Sequence, residues 1–274
     1  MESNFKGGRI KSVIHLSGLK SVRESKLSPL EYWDVNISGT INLLKVMDKF
    51  NCRKLIFSSS ASIYGDSDNF PFREECSPKT LNPYANTKLS AEILLKDLCE
   101  NKEGKWDIIS LRYFNPVGAH NSGLIGEEPL VQDKNIFPLI LKCCLDNRKK
   151  IYIFGNDWPT PDGTCIRDFI HIEDLAEGHV AALKILSEKH KGFMTLNLGT
   201  GEGTSVLKLI EVFEKVNKVN LSYEFTSRRD GDSPILIADN TKALKTINWK
   251  PKRCLEEICI DGYNWLKINP TVYI

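Results

Sequence analysis

Lys54-Leu55-Ile56-Phe57-Ser58-Ser59-Ser60-Ala61-Ser62-Ile63-Tyr64-Gly65 is an apolar run that breaks into small hydroxyl residues. That pattern predicts a buried parallel strand ending at its C-terminal rim, where open α/β sheets bind ligands. Downstream, Asn82-Pro83-Tyr84 opens a segment running through Ala91 to Leu98 that reads as a helix. Tyr84 and Lys88 stand i, i+4 and therefore share one face of it. Ser60 on the rim, with Tyr84 and Lys88 on the helix, are the candidate catalytic residues.

A phenol titrates near pH ~10, so a catalytic Tyr base needs a neighbouring cation to favour its phenolate. Lys88 is the candidate cation. Lowering the phenol by ~3 units takes about 4 kcal/mol, more than the roughly 0–1 kcal/mol that one exposed ammonium supplies. A second positive group, such as an oxidised nicotinamide ring, is therefore implied. The spacing alone says little, because 8 Tyr residues in a Lys-rich chain give roughly one Tyr-x-x-x-Lys by chance. Tyr263-x-x-x-Lys267 is such a copy, inside Ile260 to Ile268, where Trp265 and Leu266 indicate ordinary amphipathic packing. What distinguishes Tyr84 is the strand rim upstream of it.

Working outward, Ser12 to Ser17 reads as a short strand, Pro29 to Phe50 as one amphipathic helix, and Asp107 to Phe114 as a third strand. This β-α-β-α-β order predicts an α/β fold with a doubly wound parallel sheet. After Asn115-Pro116 the pattern changes to Gly- and Pro-rich loops, a helix near Phe137 to Cys144 and a strand at Ile151 to Phe154. Ile172 to Ser187 is a further helix, followed by a strand, helix and strand at Met194 to Leu198, Ser205 to Val216 and Leu221 to Phe225. Two interleaved lobes fit this order: residues 1–115 with 168–192 as a nucleotide-binding lobe, and 116–167 with 193–274 as a smaller α/β substrate lobe.

The 274 residues, 41% hydrophobic and 26% charged, suffice for a full core. A net charge of +2 with interspersed acids and bases gives no nucleic-acid footprint. No apolar stretch approaches the ~20 residues of a membrane span, and Met1 to Lys11 lacks the apolar region of a signal peptide. The expectation is a soluble, cytoplasmic protein. The 8 Cys form no C-x-x-C pair and no Cys/His cluster with metal-ligand spacing, so free thiols and no metal are expected. Asn36-Ile37-Ser38 matches a glycosylation sequon, which has no role without secretion.

Leu198-Gly199-Thr200-Gly201-Glu202-Gly203-Thr204-Ser205 follows a strand and opens a helix, the context of a phosphate-binding turn. The third Gly of G-x-G-x-x-G falls instead on Thr204, and Thr204 or Ser205 suits a helix N-cap. A place at the edge of a substrate pocket is the reading kept for it.

Val13-Ile14-His15-Leu16-Ser17-Gly18-Leu19-Lys20, Phe57 to Gly65, Pro83-Tyr84 to Lys88, Leu111-Arg112-Tyr113-Phe114-Asn115-Pro116-Val117-Gly118-Ala119-His120 and Ile153-Phe154-Gly155-Asn156-Asp157-Trp158 together resemble the UDP-glucose 4-epimerase family, end to end. Asp162 to Ile172 and Arg228-Arg229-Asp230-Gly231-Asp232 are similar to stretches of the same branch of the short-chain dehydrogenase superfamily. The resemblance implies a Rossmann sheet, NAD as cofactor, and interconversion of UDP-galactose and UDP-glucose through a 4-keto sugar in galactose metabolism. It implies Tyr84 as base, Ser60 bonded to the sugar oxygen and Lys88 on the nicotinamide ribose. Leu16, Ser17, Gly18, Lys20, Ser58 and Phe114 would complete the cofactor site. Lys20, Ser60, Asn115, Asn135, Arg167, Arg229 and Asp232 would hold the substrate, the arginines on the diphosphate. A homodimer is compatible with it.

Four departures from that family pattern stand out. Ser17 replaces a usual Ala, Val35 replaces an Asn that commonly contacts the cofactor, and Leu236 occupies a position whose bulk bears on N-acetylated sugars. The fourth is at the start, where the Gly-rich strand-turn-helix for the pyrophosphate does not precede Val13. The expectations are an N-terminally truncated Rossmann domain, a strand at Val13 to Leu16 lying open on one side, and weak NAD binding with little turnover. The alternatives are a non-catalytic form or a 4,6-dehydratase, whose acid-base carboxyl pair Ser60-Ala61-Ser62 does not offer.

Overall fold

The computed structural model describes residues 1–8, 10–66, 69–101, 105–128, 135–146 and 148–273. In chain order the first half holds α1 (Glu2–Phe5), β1 (Val13–His15), α2 (Val22–Leu27), α3 (Pro29–Trp33), α4 (Gly39–Lys49), β2 (Lys54–Ser60), α5 (Pro83–Glu100), β3 (Asp107–Tyr113) and β4 (Asn115–Val117). The second half holds α6 (Ile136–Leu145), β5 (Ile151–Phe154), β6 (Ile166–Arg167), β7 (Phe169–His171), α7 (Ile172–Glu188), β8 (Gly192–Leu198), β9 (Thr204–Ser205), α8 (Val206–Asn217), β10 (Tyr223–Thr226), β11 (Ile235–Leu236), α9 (Thr241–Ile247) and α10 (Leu255–Ile268).

The main sheet is parallel throughout in the order β1-β2-β3-β8, with Leu55 opposite Val13 and Ile108, and Ile109 opposite Met194. Successive side chains of β2 point to opposite faces. Leu55 and Phe57 pack with Leu43, Met47, Ala91 and Leu95 of α4 and α5, whereas Ile56 packs with Leu175, Ala182 and Leu186 of α7. Helices thus cover both faces, the condition under which a parallel sheet buries its strands. Among the described residues β1 has a neighbour on one side only. A second core lies around Phe137, Ile140, Ile153, Phe213 and Ile258, joining α6, β5, α8 and α10 into the smaller lobe.

Two sequence readings change. β8 pairs with β3 along its whole length, and Ala243 and Ile247 of α9 pack on the same cluster as Leu196 and Leu198, so both elements belong with the main sheet rather than with the 193–274 lobe. The run from Pro29 to Lys49 is helical throughout but not uniformly α. A π-turn at Asp34–Ser38 separates α3 from α4, and the Thr40 hydroxyl donates to the Asn36 carbonyl at 2.6 Å, side-chain back-bonding of the kind that bends helices.

Candidate active site

The C-terminal rim of the main sheet collects the chemistry. Ser60 ends β2 and caps the 3₁₀ turn Ala61–Tyr64. Its Oγ accepts from the Ser62 amide at 3.2 Å and from the Ser62 hydroxyl at 2.9 Å, which leaves the Ser60 hydrogen to donate. Its hydroxyl favours the ionised form of the Tyr84 phenol, against the burial that raises it. Ser62 therefore orients Ser60, a role the sequence reading missed.

Asn82 caps α5, its Oδ1 accepting from the Ala85 amide at 2.9 Å, with Pro83 in the first turn. This sets Tyr84 and Lys88 facing the rim. Lys88 is 5% exposed, donates to the Ser58 carbonyl at 2.7 Å and lies 5.1 Å from the Phe57 ring centre. Burial pushes its ammonium down to about 8, opposed by the charge of Glu92. Burial raises the Tyr84 phenol, and the Ser60 side chain and the charge of Lys20 oppose that rise. Lys88 Nζ, bonded to the sheet carbonyl, lies 5.9 Å from the Tyr84 ring centre.

Leu16, Ser17, Gly18 and Lys20 form an exposed loop after β1. A Cβ on Gly18 would stand 3.0 Å from Asn36 Oδ1 and 3.6 Å from Lys88 Nζ, so Gly is what lets this loop reach the helix. Asn36 fixes it: Oδ1 accepts from the Leu19 amide at 2.8 Å, while Nδ2 donates to the Leu19 carbonyl at 3.1 Å and to Thr87 Oγ1 at 3.0 Å. Asn36 lies i, i+4 from buried Tyr32 and Thr40, and a polar residue on that stripe was its one sequence signal. Asn36→Ala strands these three groups and is expected to cost about 1–3 kcal/mol in urea unfolding. An unchanged midpoint would mean the loop holds without it.

The Tyr113 hydroxyl donates to His179 Nε2 at 2.5 Å, since His179 Nδ1 donates to the Leu175 carbonyl. Phe114 is 6% exposed and packs with Ala61, Tyr64 and Phe72, so it forms wall behind the rim. Asn115 is tied through its amide to the Asp168 carbonyl at 3.0 Å. Among the described residues its Oδ1, like Ser59 Oγ, is buried and has no hydrogen-bond partner.

A second cluster gathers in the smaller lobe. Arg167 Nη1 donates to the Ile166 and Ser233 carbonyls, both at 2.9 Å, and Nη2 lies 3.8 Å from Asp232. Arg229 stacks 4.0 Å from the Phe154 ring centre, and Asp232 closes the Arg229 turn at 3.2 Å. Lys20 reaches Glu127 at 2.6 Å and Lys26 reaches the Asp230 carbonyl at 3.0 Å, so contacts from both ends of α2 join the two clusters. Asn135 precedes α6 and caps nothing with its side chain.

Two other groupings are structural. The amides of Thr200 and Gly201 in the Gly-rich turn point at the carboxylate of Asp168, not at open space. Among the described residues His171, Glu173 and Asp261 come within 4.8 Å of one another. There His171 Nδ1 accepts from the Glu173 amide, which puts the ring proton on Nε2 toward Asp261, and Arg253 lies 3.2 Å from Glu173. A protonated nitrogen and a guanidinium make an ion-pair network rather than a ligand set.

The model of the NAD dependent epimerase/dehydratase family matches residues 1–199. A UDP-glucose 4-epimerase of Dictyostelium discoideum is 45% identical over 273 residues, covering 100% of this chain and 79% of that protein. The crystal structure of the Bifidobacterium longum UDP-glucose 4-epimerase with NAD+ and UDP superposes with TM-score 0.94 at 42% identity, covering 99% of this chain and 81% of that one. The Stenotrophomonas enzyme with NAD and formylated UDP-arabinopyranose gives 0.93 at 42%, covering 97% and 79%. By sequence and by fold, the chain belongs to the NAD dependent epimerase/dehydratase family.

Proposed function

We propose that this protein is an NAD-dependent UDP-hexose 4-epimerase that interconverts UDP-galactose and UDP-glucose. The observation that carries the reading is the set gathered at the sheet rim: Ser60 oriented by Ser62 at the end of β2, Tyr84 on α5, and Lys88 one helical turn on, anchored to the Ser58 carbonyl at 2.7 Å and 5.9 Å from the Tyr84 ring centre. The donor set suits the nicotinamide half of the cofactor: an ammonium has three hydrogens and Lys88 spends one on Ser58, leaving others for ribose hydroxyls. The exposed Leu16-Ser17-Gly18 loop and the Ser58 segment flank it.

When bound, NAD+ supplies the hydride acceptor and donor for C4 of the sugar. Tyr84 takes the O4 proton and later returns it, and Ser60, pre-oriented by Ser62, donates to the same oxygen. Burial favours the neutral phenol, so the base form depends on nearby positive charge, to which Lys20 and the Lys88 ammonium 5.9 Å from the ring centre contribute. Between the two proton transfers the sugar is a 4-keto compound, and inversion requires it to present its other face before Tyr84 protonates it. Asn115 and Asn135 hold the sugar or its phosphates. Arg167 and Arg229 take the diphosphate and Asp232 the uridine ribose, which fixes the nucleotide while the hexose turns. A dehydratase is disfavoured because the nearby carboxylates are committed: Glu74 accepts from the Asn197 amide at 2.7 Å and Glu92 pairs with Arg112 at 2.7 Å.

A cytoplasmic setting is supported by eight unpaired cysteines, and among the described residues no helix is long and apolar enough to cross a membrane. The test is incubation of purified protein with UDP-galactose and added NAD+, following UDP-glucose by anion exchange. Equilibration of the two sugars is expected. Nucleotide binding without interconversion would replace the enzyme by a binding protein.

A further inference from the structure

The turn that carries Ser60 does not stop at the rim of β2. Over Ala61–Tyr64 it folds back across the sheet, and the Tyr64 hydroxyl comes to rest between side chains of two other strands. Arg112 Nη1 of β3 donates to it at 3.0 Å, and it donates to Asn197 Oδ1 of β8 at 2.6 Å. Arg112 and Asn197 are register partners, and on its other side Arg112 is the partner of Ser59, the residue before Ser60. One phenol thus ties the turn leaving β2 to both strands beyond it. We propose that Tyr64 is a positioning residue for Ser60, its hydroxyl fixing the turn that aims the Ser60 hydroxyl at the reacting oxygen. This rests on the functional reading above.

The tie is rigid because its partners are themselves held. Tyr64 and Asn197 are fully buried, and the Tyr64 ring stacks on Phe72 with centres 5.0 Å apart. Arg112 donates to the Glu92 carboxylate at 2.7 Å and to the Glu74 carbonyl at 3.0 Å, and Asn197 Nδ2 donates to the Phe72 carbonyl at 2.8 Å. A phenol has one hydrogen, so both bonds have a set direction, Arg112 giving and Asn197 receiving. A buried network satisfied in this way rigidifies what it holds. The path from there to Ser60 is short. Ser62 lies two residues before Tyr64 in the same turn, and its amide and hydroxyl are the donors that occupy Ser60 Oγ. Where Tyr64 sets the turn, Ser62 sets the direction left to the Ser60 hydrogen. The backbone of the turn is also tied at Ile63, whose carbonyl accepts from the Lys79 amide at 3.0 Å, but Lys79 lies in a loop and gives no register with the sheet.

The test is a double-mutant cycle of Tyr64→Phe and Ser60→Ala, read by kcat with UDP-galactose and by hydrogen exchange of the Ser62 amide. Tyr64→Phe keeps the ring and its stacking and removes the tie. Its kcat is expected to fall about tenfold, less than the full cost of a misplaced reacting group, with UDP affinity unmoved. In the Ser60→Ala background the same substitution should cost nothing more, because residues that act through one contact do not add. The Ser62 amide should exchange about tenfold faster while the Phe57 amide inside β2 keeps its rate, the mark of local opening rather than of a looser fold. An unchanged kcat, an equal fall in both backgrounds, or faster exchange at Ser62 and Phe57 alike overturns the proposal and leaves Tyr64 as packing. If Tyr64→Phe does not fold, Asn197→Ala takes away the hydroxyl's acceptor on β8 and is read against the same outcomes. Wild-type protein that interconverts no UDP-hexose would overturn the functional reading, while exchange at Ser62 still decides whether Tyr64 holds the turn.

Discussion

Replacing Tyr84 by Phe lowers the rate of UDP-galactose and UDP-glucose interconversion by roughly 10³-fold, within the range general acid-base catalysis supplies, equal to about 4 kcal/mol of barrier. The loss falls on kcat. Tyr84→Phe removes one oxygen from a half-buried ring and leaves its packing in place. Ser60 keeps both bonds from Ser62, so the rim turn stands. Arg167, Arg229 and Asp232, the proposed nucleotide contacts, lie in the other cluster, so affinity for UDP is expected to stay close to that of the parent. The two arms of the measurement are steady-state turnover and UDP titration by calorimetry. A variant within tenfold of the parent rate would remove Tyr84 as the base. One that also lost UDP affinity would indicate a folding defect instead.

Periodicity made the sheet legible because β2 and β3 are apolar runs buried on both faces, and Asn82-Pro83 marks the start of α5 unambiguously. The Tyr-Lys spacing was not sufficient. Lys267 Nζ lies 5.1 Å from the Tyr263 ring centre, much as Lys88 does from Tyr84 at 5.9 Å, yet Tyr263 packs edge-on against Phe213 in the second core. The same contact on the same helical spacing is chemistry in one place and packing in the other, and the difference is the strand rim. What stayed hidden depended on long-range pairing. Asn36 meets Leu19 and Thr87, and Glu92 meets Arg112 on β3, through pairings that no local pattern carries. The lobe boundary went wrong for a related reason, since the register of β8 on β3 has no local signature.

Asp168→Asn is expected to lower stability by about 4 kcal/mol, from two buried donors each losing an acceptor at about 1–3 kcal/mol with a repulsive amide hydrogen added. The carboxylate is fully buried. Oδ1 accepts from the Thr200 amide at 2.7 Å and the Thr200 hydroxyl at 2.6 Å, and Oδ2 accepts from the Gly201 amide at 2.9 Å and the Ala238 amide at 3.1 Å. Four donors converge on two oxygens, and an amide has only one oxygen. With its NH₂ toward Gly201 and Ala238 an Asn would face two fixed amide donors, and toward Thr200 it would face the fixed amide, with only the hydroxyl able to turn and accept. At roughly 2–4 °C per kcal/mol for a chain of this size, the melting point should fall by about 10 °C. A fall under about 2 °C would mean that the turn does not depend on the carboxylate. The damage should also reach the substrate: Asp168 follows Arg167 directly, and its carbonyl holds the Asn115 amide, so weaker UDP binding should accompany the lower melting point. The glycines that resemble a phosphate cradle are therefore required by a different anion, a carboxylate supplied by the chain itself, and their spacing departs from G-x-G-x-x-G because that anion approaches from β6 and β7 rather than from solvent.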